Sequence, residues 1–360
     1  MRSVGREPLT RFVAEVCIRM GADTEVADEV ATHLVRADLS GHGSHGVQRL
    51  RQYVDEADRG DLVPSARPEV VRGRGAATLV DAGRGFGHYS TRFACEAASR
   101  AAERYGVATV VVRRSGHTGR LGHYCERIAE AGLVGLLTVG AAGPSVGAMV
   151  LGGTAQRFLA ANPWAIGVPA TPEAVVVDVS SAMLAEGKVV AAAMRSTPLP
   201  EGCVVDAARR PSRDPVDYFD GGGLLPLGGL VAGHKGFGLG LAAALLGGLA
   251  MIDDDRPTLA GSQRPPGSTG EGEIAGVCLV VIDPDVFGGR EPYAAAVSRT
   301  TDHIVRAEAD GATVTVPGVP ESRHRAANRA RVPVVDRVLA DLVEIGERYG
   351  VGTDLDGEPE

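Results

Sequence analysis

Ala76-Ala-Thr-Leu-Val-Asp81, Ser90–Tyr105 and Val107-Ala-Thr-Val-Val-Val-Arg113 read in succession as a strand, a helix and a buried β-branched strand. The alternation continues with a helix over Gly122–Ala131 and strands over Val134–Val139 and Val175–Val179. An apolar, glycine-rich helix over Phe237–Ala250 and a strand over Val277–Ile282 follow. Strands alternating with helices specify an α/β body. Toward the N-terminus, Leu9, Phe12, Val13, Val16, Cys17 and Met20 recur at three- and four-residue spacing, which gives one helical stripe ended by Gly21. Asp23 or Thr24 can cap a second helix that carries Val26, Val30, Leu34 and Ala37. The loop Ser40-Gly-His-Gly-Ser-His-Gly46 precedes a third amphipathic segment from Val47 to about Asp58. Arg329–Tyr349 returns to helix, while Pro198–Gly223 and Arg256–Gly272 read as long loops. The expected division is a helical segment at 1–75, an α/β body at 76–300 and a C-terminal segment at 301–360 that folds back on the first helices.

Composition narrows the function. The chain has 360 residues, 44% hydrophobic and 23% charged, which is globular usage rather than disorder. Aromatics make up 4%, so Ala, Val and Leu must build the core. The 49 glycines are about twice the roughly 7% average share. They follow no collagen period, which assigns them to turns and close approaches. A net charge of −8 without a basic stripe argues against nucleic acid as a partner. No apolar run reaches the roughly 18 residues of a membrane span, and Met1–Ala22 lacks a signal-peptide layout, so a cytoplasmic protein without a membrane partner is expected. Cys17, Cys95, Cys125, Cys203 and Cys278 lie far apart with no CxxC, which excludes a disulfide framework and a cysteine zinc site.

Two motifs mislead. Gly83-Arg-Gly-Phe-Gly87 stands between a strand and a helix, but its spacing is G-x-G-x-G and no acid closes the next strand. A strand–helix turn is the better reading. Ser44 between His42 and His45 raises a serine hydrolase as an alternative, although His42 takes the first glycine place of the G-x-S-x-G elbow. No HExxH occurs and no carboxylate is read at ligand spacing beside a histidine, so no metal is expected.

Three constellations carry chemistry. His45, Arg49 and Tyr53 follow at four-residue steps, and a helix starting near His45 would project all three from one face. An imidazole, a guanidinium and a phenol in a row suit a small anionic carboxylate, which Arg49 can grip through two parallel hydrogen bonds. The glycines at 41, 43 and 46 would let backbone approach a ligand. His117, in Ser115-Gly-His-Thr-Gly119, follows a buried strand where α/β sheets gather ligands, and is placed for acid–base work. His234-Lys235 opens the glycine-rich helix, where free N–H groups and the helix dipole favour a phosphate.

Seven runs then stand in a shared order: Asp38-Leu-Ser-Gly-His-Gly-Ser-His-Gly-Val-Gln-Arg-Leu50, Ser115-Gly-His-Thr-Gly119, Ala161-Asn-Pro-Trp-Ala-Ile-Gly-Val-Pro169, Val177-Asp-Val-Ser-Ser181, Pro200-Glu-Gly202, Leu225-Pro-Leu-Gly-Gly229 and His234-Lys-Gly-Phe-Gly238. In these the chain resembles the malate/L-lactate dehydrogenase family typified by sulfolactate and ureidoglycolate dehydrogenases, from about residue 8 to 345. The resemblance implies a non-Rossmann, sulfolactate dehydrogenase-like fold with its helical ends packed together, usually as a homodimer. It implies NAD or NADP as cofactor and a 2-hydroxy or 2-oxo acid as substrate, with reduction of a cyclic imine carboxylate as the alternative. By motif position it makes His117 the catalytic acid/base and puts His45, Arg49 and Tyr53 in the substrate pocket. Asp178, Ser180, His234 and Lys235 fall on cofactor positions, with Gly140 in a loop offering another contact. The family usually has Ser-Asn-His-Phe-Gly at 115–119 and Gly-Thr-Asn-Pro at 160–163. The smaller residues here remove volume and polar groups beside the nicotinamide position, which bears on the choice of substrate.

Overall fold

The computed structural model describes residues 2–143, 146–150, 156–251, 274–306 and 314–355. Strand β1 (Arg2–Gly5) leads into helices α1 (Arg6–Arg19), α2 (Thr24–Leu39) and α3 (Arg49–Asp58). The sheet begins with β2 (Glu69–Arg74) and β3 (Ala77–Asp81), then α4 (Gly87–Tyr105), β4 (Val107–Arg113), α5 (Gly122–Glu130) and β5 (Val134–Ala142). Next come β6 (Met149–Val150), β7 (Arg157–Leu159), β8 (Trp164–Val168), β9 (Val175–Val179) and α6 (Glu186–Met194). Three two-residue strands, β10 (Val204–Val205), β11 (Pro211–Ser212) and β12 (Gly223–Leu224), surround α7 (Pro215–Phe219). Helix α8 (Gly229–Gly247), β13 (Ile274–Ile282), α9 (Arg290–Arg306), α10 (Val319–Ala327), β14 (Arg331–Val334) and α11 (Asp336–Tyr349) complete the described chain.

The deciding stretch folds as read. β3 and β4 run parallel, Ala77 opposite Thr109 through Asp81 opposite Arg113, with α4 as the crossover. Alternate residues Ala108, Val110 and Val112 of β4 are buried, as are Ala94, Ala98 and Ala102 of α4, so two small-residue surfaces meet closely. Gly106, at φ +84°, ends α4 in a conformation that glycine adopts at little cost. At the centre of a twelve-stranded mixed sheet, β13 lies antiparallel between β4 and β5.

The chain ends meet. β1 and β14 pair antiparallel, Arg2 opposite Val334, and α1, α2, α3 and α11 share one core around Leu9, Leu34, Leu50 and Ile345. Asp23 caps α2 by accepting the Val26 N–H at 3.0 Å, and Gly21 takes φ +107° before it.

Some boundaries differ. Residues 331–334 extend rather than coil because β1 offers a pairing edge, so the last helix starts at Asp336. Between 198 and 223, short strands and α7 replace the expected featureless loop. β2 pairs with β3, so the sheet begins at Glu69, ahead of residue 76. The expected loop at Arg256–Gly272 lies outside the described residues. Helix α8 with the turn to Met251 is, among the described residues, long and apolar enough to cross a membrane by length and composition alone, which corrects the count made on uninterrupted apolar runs. In this fold it packs against β5 and β13, and Gly140, Gly247 and Gly276 allow that approach: a Cβ at Gly140 would lie 2.0 Å from the Ala243 carbonyl oxygen.

Candidate active site

The chain leaves β4 at Arg113 and crosses the start of α4. Asp81 at the end of β3 accepts from the Gly83 N–H at 2.8 Å and from the Arg113 and Arg114 side chains at 2.9 Å, which fixes both turns together. The Gly116 N–H donates to the Gly85 carbonyl at 2.9 Å, and a Cβ on Gly87 would lie 2.1 Å from the Gly116 carbonyl oxygen. The Gly83–Gly87 run is therefore a contact surface for the 115–119 loop. It sets the position of His117.

Opposite His117, buried Asp38 shapes the next loop. Its carboxyl Oδ2 accepts the Val47 N–H at 2.8 Å, and a Cβ on Gly46 would stand 2.0 Å from Oδ1. Gly41 packs over His324. These two glycines serve internal packing rather than the expected approach to a ligand. Gly43–His45 forms one 3-10 turn and α3 starts only at Arg49, so the expected single helical face of His45, Arg49 and Tyr53 is replaced by a turn followed by a helix.

The residues nevertheless converge. The His45 and His117 rings stack with centroids 5.8 Å apart and planes 18° apart. The Tyr53 Oη atom lies 2.8 Å from His117 Nδ1, which leaves Nε2 as the ring nitrogen available to a substrate. Arg49 donates from Nε to the Ser44 carbonyl at 2.6 Å and from Nη1 to Gln52 Oε1 at 2.7 Å. Among the described residues one Nη1 hydrogen and both Nη2 hydrogens remain without a partner, enough for an end-on, two-pronged grip on a carboxylate. Burial, and then the Arg49 charge, hold the His117 imidazole well below its ordinary 6.5 and pull His45 down to about 3. The site at rest holds neutral imidazoles beside a fixed positive charge. It suits an anion.

The residues matched to cofactor positions are more dispersed. Asp178 is the penultimate residue of β9; its Oδ2 accepts the Gly122 N–H at 2.7 Å and lies 3.7 Å from Arg120 Nε. Ser180 donates to the Ala161 carbonyl at 3.1 Å and accepts the Ala182 N–H at 3.0 Å. Gly140 is inside β5 under α8, not in a loop, which corrects its placement. α8 is broken at Ala232 (φ −133°), so His234 and Lys235 occupy the first turn of its main segment, exposed and without a polar partner among the described residues.

Several residues escaped the sequence. His88 Nε2 lies 3.3 Å from Tyr53 Oη. Behind it, His33, His123 and Glu29 form a buried group whose ligand-type atoms lie within 4.8 Å of one another. Glu29 stands one helical turn before His33, so a carboxylate at ligand spacing does exist in the sequence. Its geometry disfavours a cation. His33 Nε2 accepts the Arg120 N–H at 2.9 Å, which puts the ring proton on Nδ1, and Glu29 already faces Arg92 at 3.4 Å and Arg127 at 3.6 Å. Buried Arg120 pairs with Glu126 at 2.9 Å, and Arg36 and Arg325 join them at 3.0 and 3.2 Å. The charges of Arg120, Arg325 and Arg36 outweigh burial at Glu126 and bring its carboxyl down to about 2.

The sequence profile of the malate/L-lactate dehydrogenase family matches residues 4–343. The chain is 28% identical to an L-sulfolactate dehydrogenase of Methanocaldococcus jannaschii, over 95% of both chains. It is 30% identical to a malate dehydrogenase of Pyrococcus abyssi, over 97% of this chain and 95% of that one. The solved sulfolactate dehydrogenase of M. jannaschii superposes with a TM-score of 0.84 at 27% identity, covering 98% of this chain and 99% of that chain. A Δ1-piperideine-2-carboxylate reductase of Pseudomonas syringae superposes with a TM-score of 0.81 at 28% identity, covering 96% and 100%. The serine hydrolase alternative finds no support in these relatives, although Ser44 Oγ does lie 3.0 Å from His45 Nδ1. Motif order, fold and profile agree: the chain belongs to the malate/L-lactate dehydrogenase family.

Proposed function

We propose that the protein is an NAD- or NADP-dependent oxidoreductase that interconverts a small 2-hydroxy acid and its 2-oxo acid. The observation that carries this reading is the His117–Tyr53 pair at 2.8 Å, flanked by His45 and by an Arg49 fork with free donors. Arg49 holds the substrate carboxylate and so fixes which carbon is presented for reaction. His117 Nε2 takes the hydroxyl proton during oxidation and returns it to the developing alkoxide during reduction, work suited to an imidazole. His45 and Tyr53 line the pocket beside the reacting oxygen.

A nicotinamide, when bound, supplies or accepts the hydride. The residues present fit such a group: exposed, unpartnered His234 and Lys235 at a helix start suit its phosphates, and Asp178 and Ser180 stand at the end of β9. In this division 1–75 carries the substrate-pocket residues, 76–300 is the cofactor-binding body that also supplies His117, and 301–360 folds back on the first helices. No metal enters the reaction. Leu230, Val231 and Leu245 of α8 are 66, 95 and 58% exposed, an apolar face that a second copy of this chain would cover as a homodimer. Five unpaired cysteines suit the cytoplasm.

The imine reductase reading draws on the P. syringae relative and keeps the same residues, with His117 protonating nitrogen in place of oxygen. A plate screen of NADH and NADPH oxidation against 2-oxo acids and cyclic imine carboxylates, with and without a chelator, tests both. Turnover confined to imines would select the second reading; turnover abolished by the chelator would refute the metal-free mechanism.

A further inference from the structure

The Tyr53 hydroxyl has one hydrogen and two imidazole neighbours, His117 Nδ1 at 2.8 Å and His88 Nε2 at 3.3 Å. Two arrangements use the hydroxyl hydrogen between the two rings; a third, with both rings donating, would leave that hydrogen without an acceptor among the described residues. In the first, Tyr53 donates to His117 Nδ1 and accepts from a protonated His88 Nε2. A neutral His117 then carries its proton on Nε2, facing the substrate, and has no lone pair with which to accept the hydroxyl proton. In the second, His117 Nδ1–H donates to Tyr53, and Tyr53 donates to an unprotonated His88 Nε2. Of the two, only this arrangement leaves His117 Nε2 bare. It is also the only one of them compatible with the imidazolium, whose two nitrogens both carry hydrogen. The second arrangement therefore persists through the whole cycle, and the Tyr53 proton never has to turn round.

We propose that His88 is a positioning residue: by accepting the Tyr53 hydroxyl it holds His117 in the tautomer that presents a free Nε2 to the substrate. This rests on the reading of His117 as the acid/base. The His88 ring is held by packing, its Nδ1 being buried without a hydrogen-bond partner among the described residues. His88 is fully buried at the first turn of α4, where it meets Tyr53 from α3 at 5.4 Å between ring centroids and His33 from α2 edge-on at 4.7 Å. His123 and Glu29 lie beyond His33. No carboxylate is within reach of Tyr53 Oη among its described hydrogen bonds, so a neutral imidazole takes the orienting part that a carboxylate often plays.

His88→Leu removes the acceptor at Nε2 and His88→Gln restores one through its side-chain carbonyl; His88→Asn, whose amide falls at Nδ1, replaces the leucine variant should that fail to fold. ¹⁵N-imidazole NMR of the ligand-free protein reads the tautomer directly. Wild type and His88→Gln are expected to show His117 protonated at Nδ1, and His88→Leu a shift of population to the Nε2–H form. In steady-state oxidation of the fastest hydroxy acid among malate, lactate and sulfolactate, His88→Leu should lose about 10- to 100-fold in kcat with little change in KM, and His88→Gln should recover most of it. In a Tyr53→Phe background, His88→Leu should have no further effect. An unchanged His117 tautomer, or equal losses with and without Tyr53, would overturn the proposal. His117→Asn, measured alongside, separates the two claims: its retained activity would refute the acid/base reading, whereas a dead His117→Asn beside a normal His88→Leu would refute the positioning role alone.

Discussion

Arg49→Lys separates substrate holding from chemistry. The guanidinium is fixed by two bonds, Nε to the Ser44 carbonyl at 2.6 Å and Nη1 to Gln52 at 2.7 Å, and three N–H groups are left for the substrate. A lysine ammonium keeps the charge but can satisfy neither the fork nor both anchors. At least one of the two prongs on the carboxylate is lost, and a charge-assisted hydrogen bond contributes on the order of 1.5–3 kcal/mol. That corresponds to roughly a 10- to 100-fold rise in substrate KM. Because the carboxylate is held equally in the ground and transition states, kcat should fall much less. Steady-state kinetics on the best substrate from the screen, with circular dichroism as a check on folding, measure both quantities. An unchanged KM with a collapsed kcat would place Arg49 at the reacting carbon and refute the clamp.

Gly187→Ala should act through the same residue: its new Cβ would lie 2.8 Å from Arg49 Nη2 and 3.0 Å from Ser44 Cβ, so the folded variant should show a raised KM, and normal kinetics would refute the packing. Lys235→Ala should weaken nicotinamide binding roughly 10- to 100-fold, read by fluorescence titration, with kcat at saturating cofactor largely kept. Stability should peak near neutral pH. Burial holds His33 well below 6.5 and His88 down to about 3. Each therefore contributes stability that is full above 6.5 and lost at about 1.4 kcal/mol per unit as pH falls from there. Asp38 has the opposite sign: burial pushes its carboxyl up to about 8, so its contribution is full below 3.8 and is lost as pH rises through 8. Urea unfolding across pH should show both limbs; Asp38→Asn should flatten the alkaline one and steepen the acid one between 3.8 and 6.5, where the Asp38 slope opposes that of the histidines.

The parts of the fold visible in the sequence were those with local signals. β4 and β13 are β-branched runs with buried faces, β9 is a short valine run, and α2 carries its own cap in Asp23. β14 was absorbed into a helix because its partner is β1, more than 300 residues away, and no local pattern reports that pairing. β10, β11 and β12 are two residues each, too short for any period. In the site, spacing brought His45, Arg49 and Tyr53 together correctly in space for a partly wrong reason, since a 3-10 turn does the work assigned to a helix. His88 carries no local motif: it gains meaning only from Tyr53 of α3, which also touches His117. The four-residue step from Glu29 to His33 was there to be seen. The Arg120–Glu126 pair was not, because its meaning depends on Arg36 and Arg325 arriving from α2 and α10.

The central claim is that His117 moves the proton. His117→Asn should stay folded and keep its affinity for NADH or NADPH by fluorescence titration, while kcat falls about 10²- to 10⁴-fold and the acid-side pH dependence that His117 sets, below the ordinary 6.5 because of its burial, disappears. A near-normal kcat in His117→Asn, with the loss appearing instead in His45→Asn, would contradict the account and give the proton to His45.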